Sequence, residues 1–336
     1  MNHAPLISVI VPTYNRASLI ESTLQSILGQ SYFNLELIVI DDGSTDTTHE
    51  VVGKIKDPRM VYSVISHAGR PAVPRNVGMR AAKGDYIAFC DDDDLWMPQK
   101  LERQAAVLDA HKDLFMTCTN AEFLPDHSIM KKIGKNEIIR FENFIFNSDI
   151  VNSSVIIKRC VMDHIGYFDE DMRLKATEDY DYWCRLLAFQ DRSVLFLKDV
   201  LVYYRRNSGN SISSLNINGI DDLYTRATIV HKKFAIKYPD LIKRVSMSFE
   251  HKRFVDRNNY KLFAGELHLK DIWKNTLLSI SEKCRATIIC NLFRVYKMCK
   301  IASGSKWKNV ENILSKFFIL AGINIRPYLL HFKKFY

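Results

Sequence analysis

Residues 86–96 read YIAFCDDDDLW. An apolar run, Tyr86 to Cys90, meets four carboxylates, Asp91 to Asp94, and apolar character resumes at Leu95 and Trp96. An apolar run without alternation is what a strand buried on both faces of a parallel sheet shows. The carboxylates then stand at the strand's carboxyl end, the edge where open α/β sheets bind their ligands. Four adjacent carboxylates repel one another. Mg²⁺ or Mn²⁺, hard cations held partly through substrate phosphates, would relieve that repulsion. The other reading is a solvated acidic turn opening the next helix, where negative charge suits the helix dipole.

Working outward, the same grammar repeats. Ile7 to Val11 (ISVIV) is a β-branched run broken by Pro12-Thr13-Tyr14-Asn15-Arg16, and Leu35 to Ile40 (LELIVI) runs into Asp41-Asp42-Gly43-Ser44. Met60 to Ile65 is a further strand. Between them, Leu19, Ile20, Leu24, Ile27 and Leu28 fall at helical spacing, and Thr45 to Ile55 reads as helix. A helix is predicted over Arg75–Lys83, after a long Ser66–Pro74 loop and closed by Gly84, and another over Leu95–His111. Strands alternating with helices imply a mostly parallel, Rossmann-like α/β sheet with right-handed crossovers. Three polar clusters then share one sheet edge. Residues 113–210 are less regular, with short strands over Ser153–Ile157 and Val194–Leu197 and a helix over Glu178–Phe189.

Each cluster has a chemical and a structural reading. Tyr14 and Asn15 can stack on and bind a base. Asp42 can accept hydrogen bonds from a base or ribose, or Asp41 to Ser44 can be a helix cap and nothing more. Arg75 can meet a diphosphate at a helix start or serve a structural ion pair. Glu178 and Asp179, in KATEDYDYWCRLL, can supply a general base that deprotonates an acceptor hydroxyl, or merely offset a helix N-terminus. Neither G-x-x-x-x-G-K-[ST] nor G-x-G-x-x-G occurs, so phosphates would be held by metal and side chains.

Taken in order, SVIVPTYNR (8–16), LIVIDDGSTD (37–46), PRNVGMRAAKGDYIAFCDDDDLW (74–96) and TEDYDYWCRL (177–186) resemble glycosyltransferase family 2, the inverting enzymes of GT-A fold, of the surface-polysaccharide or O-antigen type. The resemblance covers roughly residues 5–215. It implies a catalytic domain over 1–215, with a nucleotide-sugar half to about 112 and an acceptor half after it. It further implies that Tyr14 packs on the base, Asp42 reads uracil, Arg75 serves the donor site, Asp91 and Asp93 hold the metal, and Asp179, paired with Glu178, is the base. Pro12, Asn15 and Asp92 are taken with the donor contacts. The implied reaction moves one hexose, glucose or galactose, from a UDP-sugar to a lipid-linked or saccharide acceptor, with β-linkage. Two departures stand out. Asn207 replaces the histidine of the Tyr-Arg-x-His segment of many relatives, and the Gln-x-x-Arg-Trp motif of processive members is absent. A sugar nucleotidyltransferase would carry a Gly-rich basic loop where PTYNR stands. A glycoside hydrolase would need no nucleotide site, and a sugar-nucleotide binder without activity would not need intact DDDD and Glu-Asp.

Charge divides the 336 residues unequally: residues 1–220 carry a net −5 and residues 221–336 a net +14. The basic part, a helical extension over 216–336, includes Lys232, Lys233, Lys237, Lys243, Arg244, Lys252 and Arg253, and later Phe317, Phe318, Phe332, Lys333, Lys334 and Phe335. It is read as a surface for anionic lipid or as an extension packed on the catalytic domain. No nucleic-acid motif accompanies the charge. Seven cysteines without C-x-x-C spacing suit free thiols in a reducing compartment. With no secretory signal or span-length apolar stretch, the expected location is the cytoplasm, peripherally on the inner face of the cytoplasmic membrane.

Overall fold

The computed structural model describes residues 4–145, 150–206 and 217–243. The elements run β1 (Ile7–Thr13), α1 (Ile20–Leu28), β2 (Leu35–Asp41), α2 (Thr48–Lys54), β3 (Met60–Val64), α3 (Ala72–Ala81), β4 (Tyr86–Phe89), β5 (Leu95–Trp96), α4 (Lys100–Ala110) and β6 (Met116–Leu124). Then follow β7 (Ser128–Ile129), β8 (Glu137–Ile139), α5 (Phe141–Phe144), β9 (Ile156–Lys158), α6 (Val161–Ile165), α7 (Glu178–Phe189), β10 (Val194–Arg205), α8 (Ile217–Lys237) and α9 (Pro239–Lys243). The sheet order is β3-β2-β1-β4-β9-β6-β10-β5, with β7 on β6 and β8 on β10. The first four strands are mutually parallel and β6 is parallel to β10, whereas β9 runs antiparallel between β4 and β6. The mixed α/β class with a mostly parallel sheet is thus as expected.

Strand alternation divides the core between the sheet's two faces. Ile7, Val9 and Val11 join Leu37, Val39 and Ala88 against Leu24 of α1 and Leu101 of α4. Ile10, Ile38, Ile40, Ile87 and Phe89 turn the other way, onto Met79 of α3 and Trp183 of α7. The register aligns Thr13 with Asp41 and Ile10 with Phe89. Tyr14, Asp42 and Asp91 therefore leave the sheet at one edge, which is why three clusters remote in sequence meet.

Several boundaries differ from the sequence reading. Helix α3 begins at Ala72, not Arg75, because Pro71 and Pro74 fall at its start, where a missing N–H costs no helical bond. Arg75 is already in the second turn, its N–H donating to the Pro71 carbonyl at 3.2 Å. Gly84 does not close this helix. A Cβ there would lie 2.6 Å from the Ser8 amide nitrogen, so glycine is needed for the chain to pass β1. Leu95 and Trp96 form a short strand antiparallel to β10, and helix α4 waits until Lys100. Asn152–Ser154 is a 3-10 turn preceding β9, and β10 runs on from Leu197 to Arg205.

All described residues fall within one compact unit. Helix α8, beyond the 215 boundary read from the fading motifs, buries Val230 and Phe234 in the core that contains α7. Lys233, grouped above with a lipid-facing basic stretch, instead turns inward, donating to Asp169 at 2.7 Å and to buried Asp181 at 2.9 Å. The side chains of Lys243, Arg244, Lys252, Arg253 and the aromatic-basic segments from Phe317 to Phe335 lie outside the described residues, as does Asn207. No helix among the described residues is long and apolar enough to cross a membrane.

Candidate active site

A cavity of about 440 Å³ opens at this edge, lined by residues of every polar cluster, a volume within the range of small-molecule sites. Its walls include Pro12, Tyr14, Arg16, Asp42, His67, Arg70, Arg75, Asp91, Asp92, Asp93, Lys175, Glu178, Asp179 and Tyr204. The base, metal and acid–base candidates thus share one space.

The four aspartates separate by role. Asp94 is fully buried, accepting from Ser153 Oγ at 2.5 Å and from the Arg205 N–H at 3.1 Å. Burial, then Asp93 and Asp91, push its pKa well above the usual carboxylate range, and its two hydrogen bonds brace the turn. Asp92 accepts from Arg16 Nε at 3.1 Å and from the Tyr14 N–H at 3.3 Å, and so fastens the loop after β1. Burial, opposed by Arg16 and reinforced by Asp93, raises its pKa to about 7. Asp93 lies 3.4 Å from Arg16 Nη2. Among the described residues Asp91 gives only Oδ1 to protein partners, Arg75 Nη2 at 2.7 Å and Asn152 Nδ2 at 3.1 Å, which leaves Oδ2 for a ligand.

The donor set therefore suits a hard divalent cation. Among the described residues no cluster of three or more metal-binding side chains forms. Asp91 and Asp93 can supply two oxygens, and the remaining ligands would come from phosphate and water, as Mg²⁺ and Mn²⁺ sites at phosphates permit.

Arg75 is the hub. Its guanidinium is buried, with Nη1 donating to Glu178 Oε1 at 2.7 Å and Nη2 to Asp91 Oδ1 at 2.7 Å. Burial presses its pKa down, but Asp91, Glu178 and Asp179 outweigh that and hold it above its ordinary value. The residue expected to meet the donor diphosphate thus has both terminal nitrogens on protein carboxylates. Gly78 lets α3 carry it there: a Cβ would lie 2.6 Å from Ile10 Cγ2, so the helix lies directly on β1.

Glu178 and Asp179 open α7. Glu178 is committed to Arg75, while Asp179 accepts from the Tyr180 N–H at 2.7 Å and lines the cavity. Burial first, then the Glu178 charge, raise the pKa of Asp179 to about 7 against the pull of Arg75. A carboxylate so poised can take a proton near neutral pH.

On the opposite wall, Asp42 accepts from the Ala68 N–H at 2.7 Å and the Gly69 N–H at 3.0 Å, with Gly69 at φ +70°. It thereby holds the loop that places His67, whose ring stacks on Tyr14 at 4.2 Å. Asn15, expected beside Tyr14 at the base, is instead turned away. At φ +51° its Oδ1 accepts the N–H groups of Thr45 at 2.8 Å and Asp46 at 3.3 Å, and it takes no part in the lining. Asn15 ties the β1 and β2 loops together.

Sequence reasoning gave no role to Arg16, His67, Asn152, Ser153, Arg70 or Lys175. Arg16 stood inside a quoted motif, next to Asn15. Asn152 and Ser153 carry no local signal, because only the pairing of β9 with β4 brings them to the carboxylates.

Residues 8–168 match the family described as Glycosyl transferase family 2. Over 236 residues the chain is 30% identical to the UDP-Glc:alpha-D-GlcNAc-diphosphoundecaprenol beta-1,3-glucosyltransferase WfaP of Escherichia coli, spanning 69% of this chain and 88% of the relative. The solved structure of S. aureus TarS 1-349 with UDP-GlcNAc is similar at a TM-score of 0.58 and 21% identity, covering 87% of this chain and 80% of that one. Mannosyltransferase PcManGT from Pyrobaculum calidifontis, with GDP-Man and Mn²⁺, is similar at a TM-score of 0.53 and 19% identity, covering 98% and 83%. At these identities the two structures bear on fold.

Proposed function

The chain belongs to glycosyltransferase family 2, and from that premise we propose that it moves a single hexose, glucose in the first instance, from UDP to a hydroxyl of a lipid-diphosphate-linked sugar with inversion. One observation carries the mechanism: Arg75 joins Asp91 of the acidic turn to Glu178, the neighbour of Asp179, inside one cavity. This bridge supports a mechanism in which the acidic turn and the base act on one bound pair of substrates.

Tyr14 and the loop pinned by Asp42 supply the wall for the base of the nucleotide. Asp91 and Asp93 would hold Mn²⁺ or Mg²⁺, which when bound neutralises charge on the leaving diphosphate. Asp179 accepts the proton of the acceptor hydroxyl. The hydroxyl oxygen bonds to the anomeric carbon as the bond from that carbon to the phosphate oxygen breaks, its electron pair leaving with UDP. A single displacement converts an α-configured donor to a β-linked product. The acceptor class and the choice of glucose rest on the relative named above. Cytoplasmic placement at the inner face of the membrane follows from such an acceptor and from the basic C-terminal part, which supports contact with anionic lipid.

The test is a donor screen with purified protein, a short-chain lipid-diphosphate GlcNAc acceptor and Mn²⁺. Transfer from UDP-glucose giving a β-linked disaccharide is expected. An α-linked product would reject single displacement, and no transfer from any UDP-sugar would reject the donor class.

A further inference from the structure

The proposed base has no side chain holding it directly. Among the described residues Asp179 accepts one hydrogen bond, from the Tyr180 N–H beside it. Its place in the cavity is therefore set by where the first turn of α7 lies. Glu178 fastens that turn to Arg75. The fully buried Asp181 fastens it elsewhere: Oδ2 accepts from Arg185 Nε at 2.8 Å, and Oδ1 accepts from Lys233 Nζ of α8 at 2.9 Å. Lys233 also donates to Asp169 at 2.7 Å, so one ammonium ties α8 to α7 and to the segment before it. The approach to α7 is held from the same helix. Ala176 takes the left-handed conformation, φ +66°, which a residue with a Cβ keeps only where its surroundings impose it. The carbonyl just before it, of Lys175, accepts from Arg226 Nη1 of α8. Arg226 and Lys233 stand two turns apart on the side of α8 that buries Val230 and Phe234.

Helix α8 follows both the residues 8–168 that match the family and the last of the quoted motifs, and no step of the mechanism uses it. We propose that α8 is a clamp on the base: Arg226 and Lys233 are positioning residues that hold the chain before and after Asp179, at Lys175 and at Asp181, and so set the approach of Asp179 to the acceptor hydroxyl. The unit needed for transfer then includes α8 and does not stop at residue 215. This inference rests on the role given to Asp179 above. A misplacement of about 1 Å between reacting groups can cost on the order of 10²-fold in rate, so loss of either tie should be read in kcat. The donor wall and the acidic turn stand on the ends of β1, β2 and β4, so donor binding should be spared.

The experiment uses the full chain with UDP-glucose, Mn²⁺ and the short-chain lipid-diphosphate GlcNAc acceptor, at a temperature where melting curves show every variant folded. Lys233→Met and Arg226→Gln should each lower kcat by about 10–100-fold. Donor KM, and UDP affinity measured by calorimetry, should stay within about twofold of wild type. Lys233→Arg should keep most of the kcat. Each variant is then combined with Asp179→Asn. A clamp that acts through the base has nothing left to position there, so the double variant should have the kcat of Asp179→Asn alone. A general loss of structure would instead multiply with it. Wild-type kcat in both variants, a loss carried by donor KM and UDP affinity, or losses that multiply with Asp179→Asn overturn the inference and leave the transferase reading intact. A wild type inert with every UDP-sugar rejects the proposed function itself, and this inference with it.

Discussion

Replacing Arg75 with methionine should unfold the site before it weakens donor binding. The guanidinium is buried and bridges two carboxylates at 2.7 Å each. Methionine keeps an unbranched apolar stem but leaves Asp91 and Glu178 facing each other without a cation. Removing one partner of a buried ion pair costs about 3–5 kcal/mol, mostly from the charge left uncompensated. For a domain of this size about 1 kcal/mol moves the melting temperature by 2–4 °C, so the loss corresponds to about 6–20 °C. The measurement is thermal unfolding without nucleotide or metal at pH 8. Arg75→Lys should recover part of the loss, since an ammonium is a point charge that cannot fork between two carboxylates. An Arg75→Met protein melting within 2 °C of wild type at pH 8, with donor KM raised, would refute this reasoning and return Arg75 to the donor phosphates.

Asp179→Asn should lower kcat by about 10²–10⁴-fold with donor KM little changed, because a general base acts in the transition state. The wild-type kcat should rise with pH through about 7 and level off above it, since Asp179, raised to about 7, works as the ionised form. A raised carboxylate favours the folded state below its unfolded value near 4 and loses that contribution as pH rises through about 7, so Asp179→Asn should be at least as stable as wild type at pH 8. EDTA should abolish transfer and Mn²⁺ or Mg²⁺ should restore it, while Asp93→Ala should lose most activity with its fold retained; full activity in EDTA would exclude the role given to the acidic turn. Asp42→Ala should raise donor KM more than it lowers kcat, since its carboxylate holds the Ala68–Gly69 backbone at the nucleotide wall, and an unchanged donor KM would limit Asp42 to a structural role.

The parts of this fold that were legible in the sequence are those set by short-range pattern. Largely apolar runs marked β1, β2 and β4 because such strands are covered on both faces, and helix α7 fell on Glu178–Phe189 as predicted because its apolar period is undisturbed. Misreadings arose where one residue type serves two masters. Pro74 looked like the end of a loop, yet it sits in the first turn of a helix that tolerates it. Gly84 looked like a helix terminator, yet it is a glycine because β1 passes too close for a Cβ.

The site shows the same division at the level of chemistry. Sequence could place Asp91, Asp93 and Asp179 at strand and helix ends, because ends are local. It could not apportion the charges, because which carboxylate meets which cation depends on contacts between distant segments: Arg75 with Glu178, Asp94 with Ser153, Asp92 with Arg16. That apportioning turns a run of identical aspartates into different groups. Asp94 is buried and braces the turn through a hydroxyl and a backbone N–H, Asp92 clamps a loop, and Asp91 lines the cavity with Oδ2 unpartnered among the described residues. The same accounting separates the cations. Arg75, which the motif marked for the donor, has both terminal nitrogens on protein carboxylates, whereas Arg70 and Lys175, which no motif marked, have no side-chain partner among the described residues. Which cation of a crowded acidic cavity the protein pairs is a property of the folded chain alone.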